Sequence, residues 1–474
     1  MDWNEAISLL HGSDWKHAKI GLERMKALMS ALGNPQKKLK FIHIAGTNGK
    51  GSTCSMVRFI LTEAGFKTGL YISPHLFSFN ERISVDGTDI SDYDLRRISE
   101  KIRTAVTGLN EEPTDFEMIT AMALCFFYEE GCDYVVLEVG MGGRLDATNI
   151  IDAPEAAAIM SIGLDHTEVL GDTEEQIALE KAGIIKAGAP LVVMNQKDSV
   201  LQVITDKFRE INGVNADVPA LISPHEYSEY SLNNSDTQKK KAGETKQITS
   251  PCTVQNETTA SKRVPLTITD PHALTVHSCS LKGGIFSYRD IKNLRLSLLG
   301  IYQINNAMAA IDIILSLKCR GINIDGETIK HGLLKARWPG RFELLSEDPV
   351  FILDGAHNPN GAAALAESIK AFLPDKKVIF VMGVMKDKDH LNMLKIITPF
   401  AESFIAELPY DGRGMDPEEL KTEISSVFDG PTFTAPSIKD AVAMAVTRGK
   451  ELKLPVICFG SLYQAGEVRK FFLH

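Results

Sequence analysis

Hydrophobic positions along this chain fall into short continuous blocks, separated by longer stretches in which apolar side chains recur every three or four residues. The blocks Phe41–Ala45, Thr68–Ile72, Tyr134–Leu137, Ala157–Ile162 and Leu191–Met194 read as buried strands. Between the first two, Thr53–Ala64 carries Met56, Val57, Ile60 and Leu61 at helical spacing and stops at Gly65. After Arg337-Trp338-Pro339-Gly340-Arg341, which reads as a hinge, the alternation restarts with Val350–Leu353, Val378–Val381, Phe404–Ala406 and Val456–Phe459. Short buried strands alternating with helices predict an α/β protein: a doubly wound, mostly parallel sheet domain, followed by a smaller C-terminal α/β domain of Rossmann-like type. The expected division is 1–337 and 338–474. Leu294–Leu298 adds a strand-like run and Ile304–Leu317 a helix to the first domain. Its stretch from 227 to 263, rich in Ser, Thr, Asn, Gln and Lys and poor in apolar residues, predicts a solvated insertion.

The first strand breaks into Gly46-Thr47-Asn48-Gly49-Lys50-Gly51-Ser52. A glycine-rich turn between strand and helix lets backbone N–H groups close around phosphate oxygens, adds the positive end of the helix, and brings a lysine to the outer phosphates. A bound nucleotide is therefore expected. The loop departs from the usual pattern in one respect: Gly51 stands directly after the lysine, where a Ser or Thr would hold magnesium. The second domain has no phosphate loop and no G-x-G-x-x-G, so a dinucleotide site there is not supported.

Composition narrows the partners. At 474 residues, 44% hydrophobic and 24% charged, the chain has the length for two domains and the balance of a soluble globular protein. A net charge of −10 offers no broad basic surface to a nucleic acid. The start, Met1–Glu5, lacks the features of a signal peptide, and no apolar run approaches the roughly 18 residues of a membrane span. A cytoplasmic protein is expected. Seven cysteines without a C-x-x-C pair read as free thiols, and the acceptor-like Asn233 and Asn256 sequons as accidents.

In open parallel sheets ligands sit beyond the carboxyl ends of strands. Ser73, Glu138 and Asp165-His166 each follow a strand in that position. Glu138 suits magnesium, which prefers oxygen ligands, and Ser73 offers the hydroxyl that Gly51 lacks. The alternative readings are a salt-bridged carboxylate, a turn serine and a structural histidine, the last because imidazole is an unusual magnesium ligand.

Taken together, Gly46–Ser52, Ser73-Pro74-His75-Leu76 with Phe79–Ile83, Glu138–Asn149, Asp165-His166-Thr167, Glu180–Lys186, Pro339-Gly340-Arg341 and Asp354–Pro359 resemble, in the same order, the folylpolyglutamate synthases and bifunctional dihydrofolate synthases of the Mur ligase group. The resemblance covers both domains and leaves out the polar insertion. It implies ATP-dependent ligation of L-glutamate to the carboxylate of a reduced folate, and of dihydropteroate, through an acyl phosphate. It also implies that Asn48, Gly49, Lys50, Gly51 and Ser52 cradle ATP, joined by Asn305 (or its neighbour Asn306), Arg341 and Asp354. Ser73, Glu138 and His166 become magnesium positions, and Lys181 matches a lysine that is carbamylated in the family. His357 and Ser461 fall on the glutamate side. The folate end is implied to involve Phe77 or Phe79, Arg82, Asp115 and Thr120, with core packing the competing reading for the phenylalanines. The catalytic set expected is Lys50, Lys181 and His357, in a monomer.

Two other readings share parts of this pattern. A cell-wall peptide ligase would have the same loop and ligation logic, and a nucleotide-regulated binding protein would need only the loop. The 73–83 and 137–149 stretches favour the folate type over the first. Lys50, Glu138, His166, Asp354 and His357 occurring together argue against the second.

Overall fold

In the computed structural model, residues 21–219, 263–409 and 414–472 are described. The polar insertion expected at 227–263 lies outside them apart from Arg263. Among the described residues eighteen strands form three sheets. The first nine are β1 (Phe41–Ala45), β2 (Thr68–Tyr71), β3 (Ile83–Val85), β4 (Thr88–Asp89), β5 (Tyr134–Glu138), β6 (Ala156–Ile159), β7 (Leu191–Val193), β8 (Ala216–Asp217) and β9 (Val264–Ile268). They make one sheet in the order β4-β3-β2-β5-β1-β6-β7-β9-β8, parallel from β2 to β8, with β3 and β4 antiparallel at one edge.

Continuous apolar runs make this sheet central, because each parallel strand is covered on both faces. All five residues of β1 and of β5 are buried. On one face the helices Lys50–Glu63, Ile301–Ser316 and Gly326–Lys335 bury Met56, Ile60, Ile311 and Leu333. On the other, Glu23–Ala31, Asp92–Val106 and Asp115–Glu129 bury Leu28, Ile98 and Phe127. The helix Asp115–Glu129 starts on a capping box in which the Thr114 hydroxyl accepts from the Glu117 N–H and the Glu117 carboxylate accepts from the Thr114 N–H.

The run expected as a strand near Leu294 belongs to an antiparallel meander of β10 (Leu274–Ser280), β11 (Gly283–Tyr288) and β12 (Ile291–Leu296). Asp312, buried on the helix Ile301–Ser316, ties the meander down. It accepts from Arg289 Nε at 2.6 Å and from the Tyr288 hydroxyl at 2.7 Å.

The second parallel sheet follows the hinge: β13 (Glu343–Glu347), β14 (Val350–Leu353), β15 (Val378–Met382), β16 (Ala401–Ala406), β17 (Thr432–Thr434) and β18 (Val456–Phe459), in the order β13-β14-β18-β15-β16-β17, with only β13 antiparallel. Separate apolar clusters fill its two faces. Among the described residues no helix is long and apolar enough to cross a membrane.

Glu407, at the carboxyl end of β16, is fully buried, and neither carboxyl oxygen has a hydrogen-bond partner among the described residues. Burial pushes its carboxyl from 4.5 up to about 8. Its Oε1 and that of Gln464 both face Gly383, 2.2 and 2.8 Å from where a Cβ there would stand. A carboxyl held neutral leaves no unpaired charge in this apolar setting. The proton kept by the folded chain and released by the unfolded one stabilises fully below about pH 4.5, and that contribution is lost as pH rises to 8. Glu407→Gln supplies a donor that does not titrate. Its melting temperature is therefore expected to gain on the native chain between pH 5 and pH 8, whereas parallel melting curves across that range would remove the buried-proton reading.

Candidate active site

The carboxyl ends of β2, β5, β1 and β6 lie side by side, because β5 pairs with β1 on one flank and β6 on the other. Whatever follows these strands is gathered at one edge. β1 is followed by the glycine-rich loop, β2 by Ser73, β5 ends in Glu138, and β6 leads to Asp165 and His166. The helix after the loop begins at Lys50, with Gly49 before it at φ 87°. Only glycine adopts that conformation readily, and a Cβ there would also stand 2.5 Å from Asn306 Oδ1. The loop is fastened to the segment just after β6 by the Thr47 N–H donating to the Ser161 carbonyl at 2.7 Å.

These residues border a cavity of about 380 Å3 between the two parallel sheets. Its wall brings together Asn48, Gly49, Lys50, Gly51, Ser52, Ser73, Glu138, His166, Lys181 and Asn305 from the first sheet's side, with Arg341, Asp354 and His357 from the second. Asn306 lines it as well, buried where Asn305 is exposed, and donates to Gln303 Oε1 at 3.0 Å.

The electrostatics are set by buried charges of opposite sign. The ammonium groups of Lys50 and Lys181 both donate to the Gly46 carbonyl, at 3.0 and 2.9 Å. Burial, aided by repulsion from Lys50, lowers Lys181 from 10.5 to about 7. Burial raises the Glu138 carboxyl, while Lys50, the Ser73 N–H donating at 3.1 Å, and Arg341 pull it back. Burial also lowers the His166 imidazole, against the opposing charge of Asp165.

Asp165 joins the two halves. It accepts from Lys388 Nζ at 3.0 Å and Asn358 Nδ2 at 3.3 Å, and faces His357 Nε2 at 3.6 Å. Burial opposes its ionisation, yet His357 facing it and the charges of His166 and Lys388 hold its carboxyl well below the usual carboxylate range. Asp354 makes a second link, accepting from the Tyr302 hydroxyl at 2.7 Å and from the Phe342 N–H at 2.8 Å, with Ala356 N–H on its other oxygen. His357 is oriented by Nδ1 against the Gly355 carbonyl at 2.8 Å.

Several residues expected at the folate and glutamate ends are not among those lining this cavity. Phe79 is packed in the core, 6.0 Å from the His75 ring. Thr120 is fully buried, its hydroxyl shared between the Phe116 carbonyl and the Tyr71 hydroxyl. Thr120 is a core position because the helix Asp115–Glu129 turns that face onto the sheet, and Phe79 packs into the same apolar cluster from the short helical turn Phe79–Arg82. Asp115 opens the same helix. Arg82 donates to His75 Nδ1 at 2.8 Å, and Phe77 lies at the surface under Arg469, 4.7 Å from its guanidinium. The buried Ser461 hydroxyl accepts from the Tyr463 N–H at 3.2 Å and closes a turn.

Sequence reasoning missed Lys388 and Tyr302, whose partners lie across the cleft, and the part played by Asp165, whose position beside His166 was the available signal. It also missed Met141, which lines the cavity and whose N–H donates to buried Asp146 at 2.9 Å.

Residues 44–314 match the Mur ligase middle domain, and residues 340–462 the Mur ligase glutamate ligase domain. A dihydrofolate synthase/folylpolyglutamate synthase of Bacillus subtilis is 37% identical over 408 residues, 85% of this chain and 84% of that protein. The crystal structure of Mycobacterium tuberculosis folylpolyglutamate synthase complexed with ADP and AMPPCP superposes with a TM-score of 0.79 at 27% identity, covering 100% of this chain and 99% of that one. Escherichia coli FolC in complex with DHPP and ADP gives 0.76 at 28% identity, over 99% and 97%. With the sequence motifs gathered around one cleft, these likenesses identify the chain as a member of the folylpolyglutamate synthase/dihydrofolate synthase family of Mur ligases.

Proposed function

We propose that the chain joins L-glutamate by an amide bond to the carboxylate of a reduced folate, and also of dihydropteroate, at the expense of ATP. The observation that carries this reading is the single cleft in which Lys50, Glu138, His166 and Lys181 face Arg341 and His357. The names of the relatives support it, since the Bacillus protein is called by both activities and the Mycobacterium and Escherichia structures hold adenine nucleotides.

A carboxylate is a poor acyl donor at neutral pH. Transfer of the γ-phosphoryl group to one carboxylate oxygen makes an acyl phosphate and releases ADP. The glutamate amine then attacks the acyl carbon, the C–O bond to phosphate breaks, and the amine gives up a proton. Positioning and charge neutralisation supply the catalysis. Residues 48–52 hold the phosphates, with Lys50 on the outer ones and Arg341 opposite. Asn305 or Asn306 and the Asp354 region take the nucleoside. His357 stands on the glutamate side, with Ser461 shaping the neighbouring turn, while Phe77, Arg82 and Asp115 mark the folate approach.

Magnesium binds oxygen donors and needs only one or two carboxylates when phosphates and water complete its shell. Among the described residues no three of His, Cys, Asp and Glu gather as a metal site. Glu138 with the Ser73 hydroxyl and His166 fits such a partial set, and the ion would neutralise phosphate charge there. Residues 1–337 act as the nucleotide half and 338–474 as the closing half, which excludes water from the acyl phosphate. The protein works as a cytoplasmic monomer.

Lys181, at about 7, presents a neutral amine at physiological pH that can add CO2 as a carbamate with loss of a proton. The neutral fraction falls as pH drops through 7. Activity in bicarbonate-free buffer is expected to be low, to return with bicarbonate, and to return less at pH 6 than at pH 8; indifference to bicarbonate would refute the carbamate.

Lys50→Ala should abolish ADP formation while the protein keeps its native circular dichroism, and undiminished turnover would sink the loop assignment. Purified protein with ATP, magnesium and glutamate, given dihydropteroate in one reaction and a reduced folate in another, should yield a product one glutamyl residue heavier in both. Product from the reduced folate alone would remove the dihydropteroate activity.

A further inference from the structure

The glycine that follows Lys50 has a physical partner in the hinge. A Cβ built on Gly51 would stand 2.2 Å from Cζ2 of Trp338, 2.9 Å from Cε2 and 3.0 Å from Cη2. Carbon atoms pack at about 3.5–4.0 Å, so the indole lies directly on the Gly51 backbone and leaves no room for a side chain. One turn further along the same helix, the Ser55 hydroxyl donates to the Arg337 carbonyl at 2.7 Å. Arg337 Nη1 in turn donates to Ser297 Oγ at 2.7 Å. The preceding helix Gly326–Lys335 reinforces the docking, with Gly332 packed so closely that a Cβ would be 2.5 Å from Ile60 Cα. The chain entering the hinge is thus laid along the helix that begins at Lys50.

Beyond Trp338 the backbone changes character. Gly340 has φ 70° and Phe342 φ 46°, and Arg341 between them reaches the cavity wall. The held part of the hinge ends at Trp338, and the turn toward the second sheet begins at Pro339.

Resting on the reading of 46–52 as the phosphate loop, we propose that Trp338 is a positioning residue for the nucleotide: its indole braces the loop backbone at Gly51 and couples the seating of the phosphates to the hinge that carries Arg341. The missing hydroxyl after Lys50 is then the consequence of the indole occupying its place, and it explains why this loop must draw its metal oxygen from elsewhere. Pairing Gly51 with Trp338 also predicts that the two positions are not independent.

The test is a double-mutant cycle on the full chain, read by calorimetric titration with magnesium and a non-hydrolysable ATP analogue. Gly51→Ala and Trp338→Ala should each weaken binding about tenfold, and the double variant should bind no worse than the weaker single variant, a coupling of the size expected for residues in contact. Trp338→Phe should retain most of the affinity. In steady state, Trp338→Ala should raise the KM for ATP and leave the KM for glutamate unchanged. Losses that multiply in the double variant would overturn the brace. If Gly51→Ala does not fold, equal losses in Trp338→Phe and Trp338→Ala, or equal rises in both KM values, would overturn it as well. Failure of the native chain to bind the analogue would instead overturn the phosphate-loop reading.

Discussion

Two carboxylates, Asp165 and Asp354, tie the first sheet's side of the cleft to the second. Asp165, at the end of the loop after β6, receives Lys388, Asn358 and His357 from the second sheet. A buried anion is tolerated only when opposite charge and hydrogen bonds replace its water. The first half contributes the His166 N–H at 3.0 Å, and the second adds the Lys388 ammonium and the Asn358 amide. The charge of Asp165 is satisfied when the second half is docked, and docking brings Arg341 and His357 to the phosphate loop.

The cleft is also electrostatically frustrated in a useful way. Two lysine side chains share one carbonyl oxygen, one of them lowered to about 7 by burial and by the charge of the other, and burial raises the carboxyl of the glutamate beside them. Such an arrangement favours a polyanion arriving with a cation, because each new charge relieves one already present. The low-dielectric setting that makes the site costly in isolation strengthens every contact to the phosphates once water is excluded.

Much of this was legible in the sequence, for reasons that differ by residue. Continuous apolar runs mark parallel strands, so β1, β5, β15 and β18 were evident within a residue or two. The position just past a buried strand marked Ser73, Glu138 and His166. Phe79 and Thr120 lie in the core, and a motif conveys proximity in sequence but not which face of a loop or helix turns inward. Lys388, Tyr302 and the Gly51–Trp338 packing depend on how separate elements dock, which no local pattern encodes. The meander of β10–β12 was only half visible, since its exposed strand β10 lacks the apolar alternation that signals a buried one.

The central claim, that the cleft activates a carboxylate by phosphorylation before the glutamate amine attacks it, is tested most directly by following oxygen. A folate or pteroate substrate labelled with 18O in both carboxylate oxygens should pass one 18O to inorganic phosphate in each turnover and keep the other in the amide. Unlabelled phosphate, with the expelled 18O recovered in water or in AMP instead, would contradict the account.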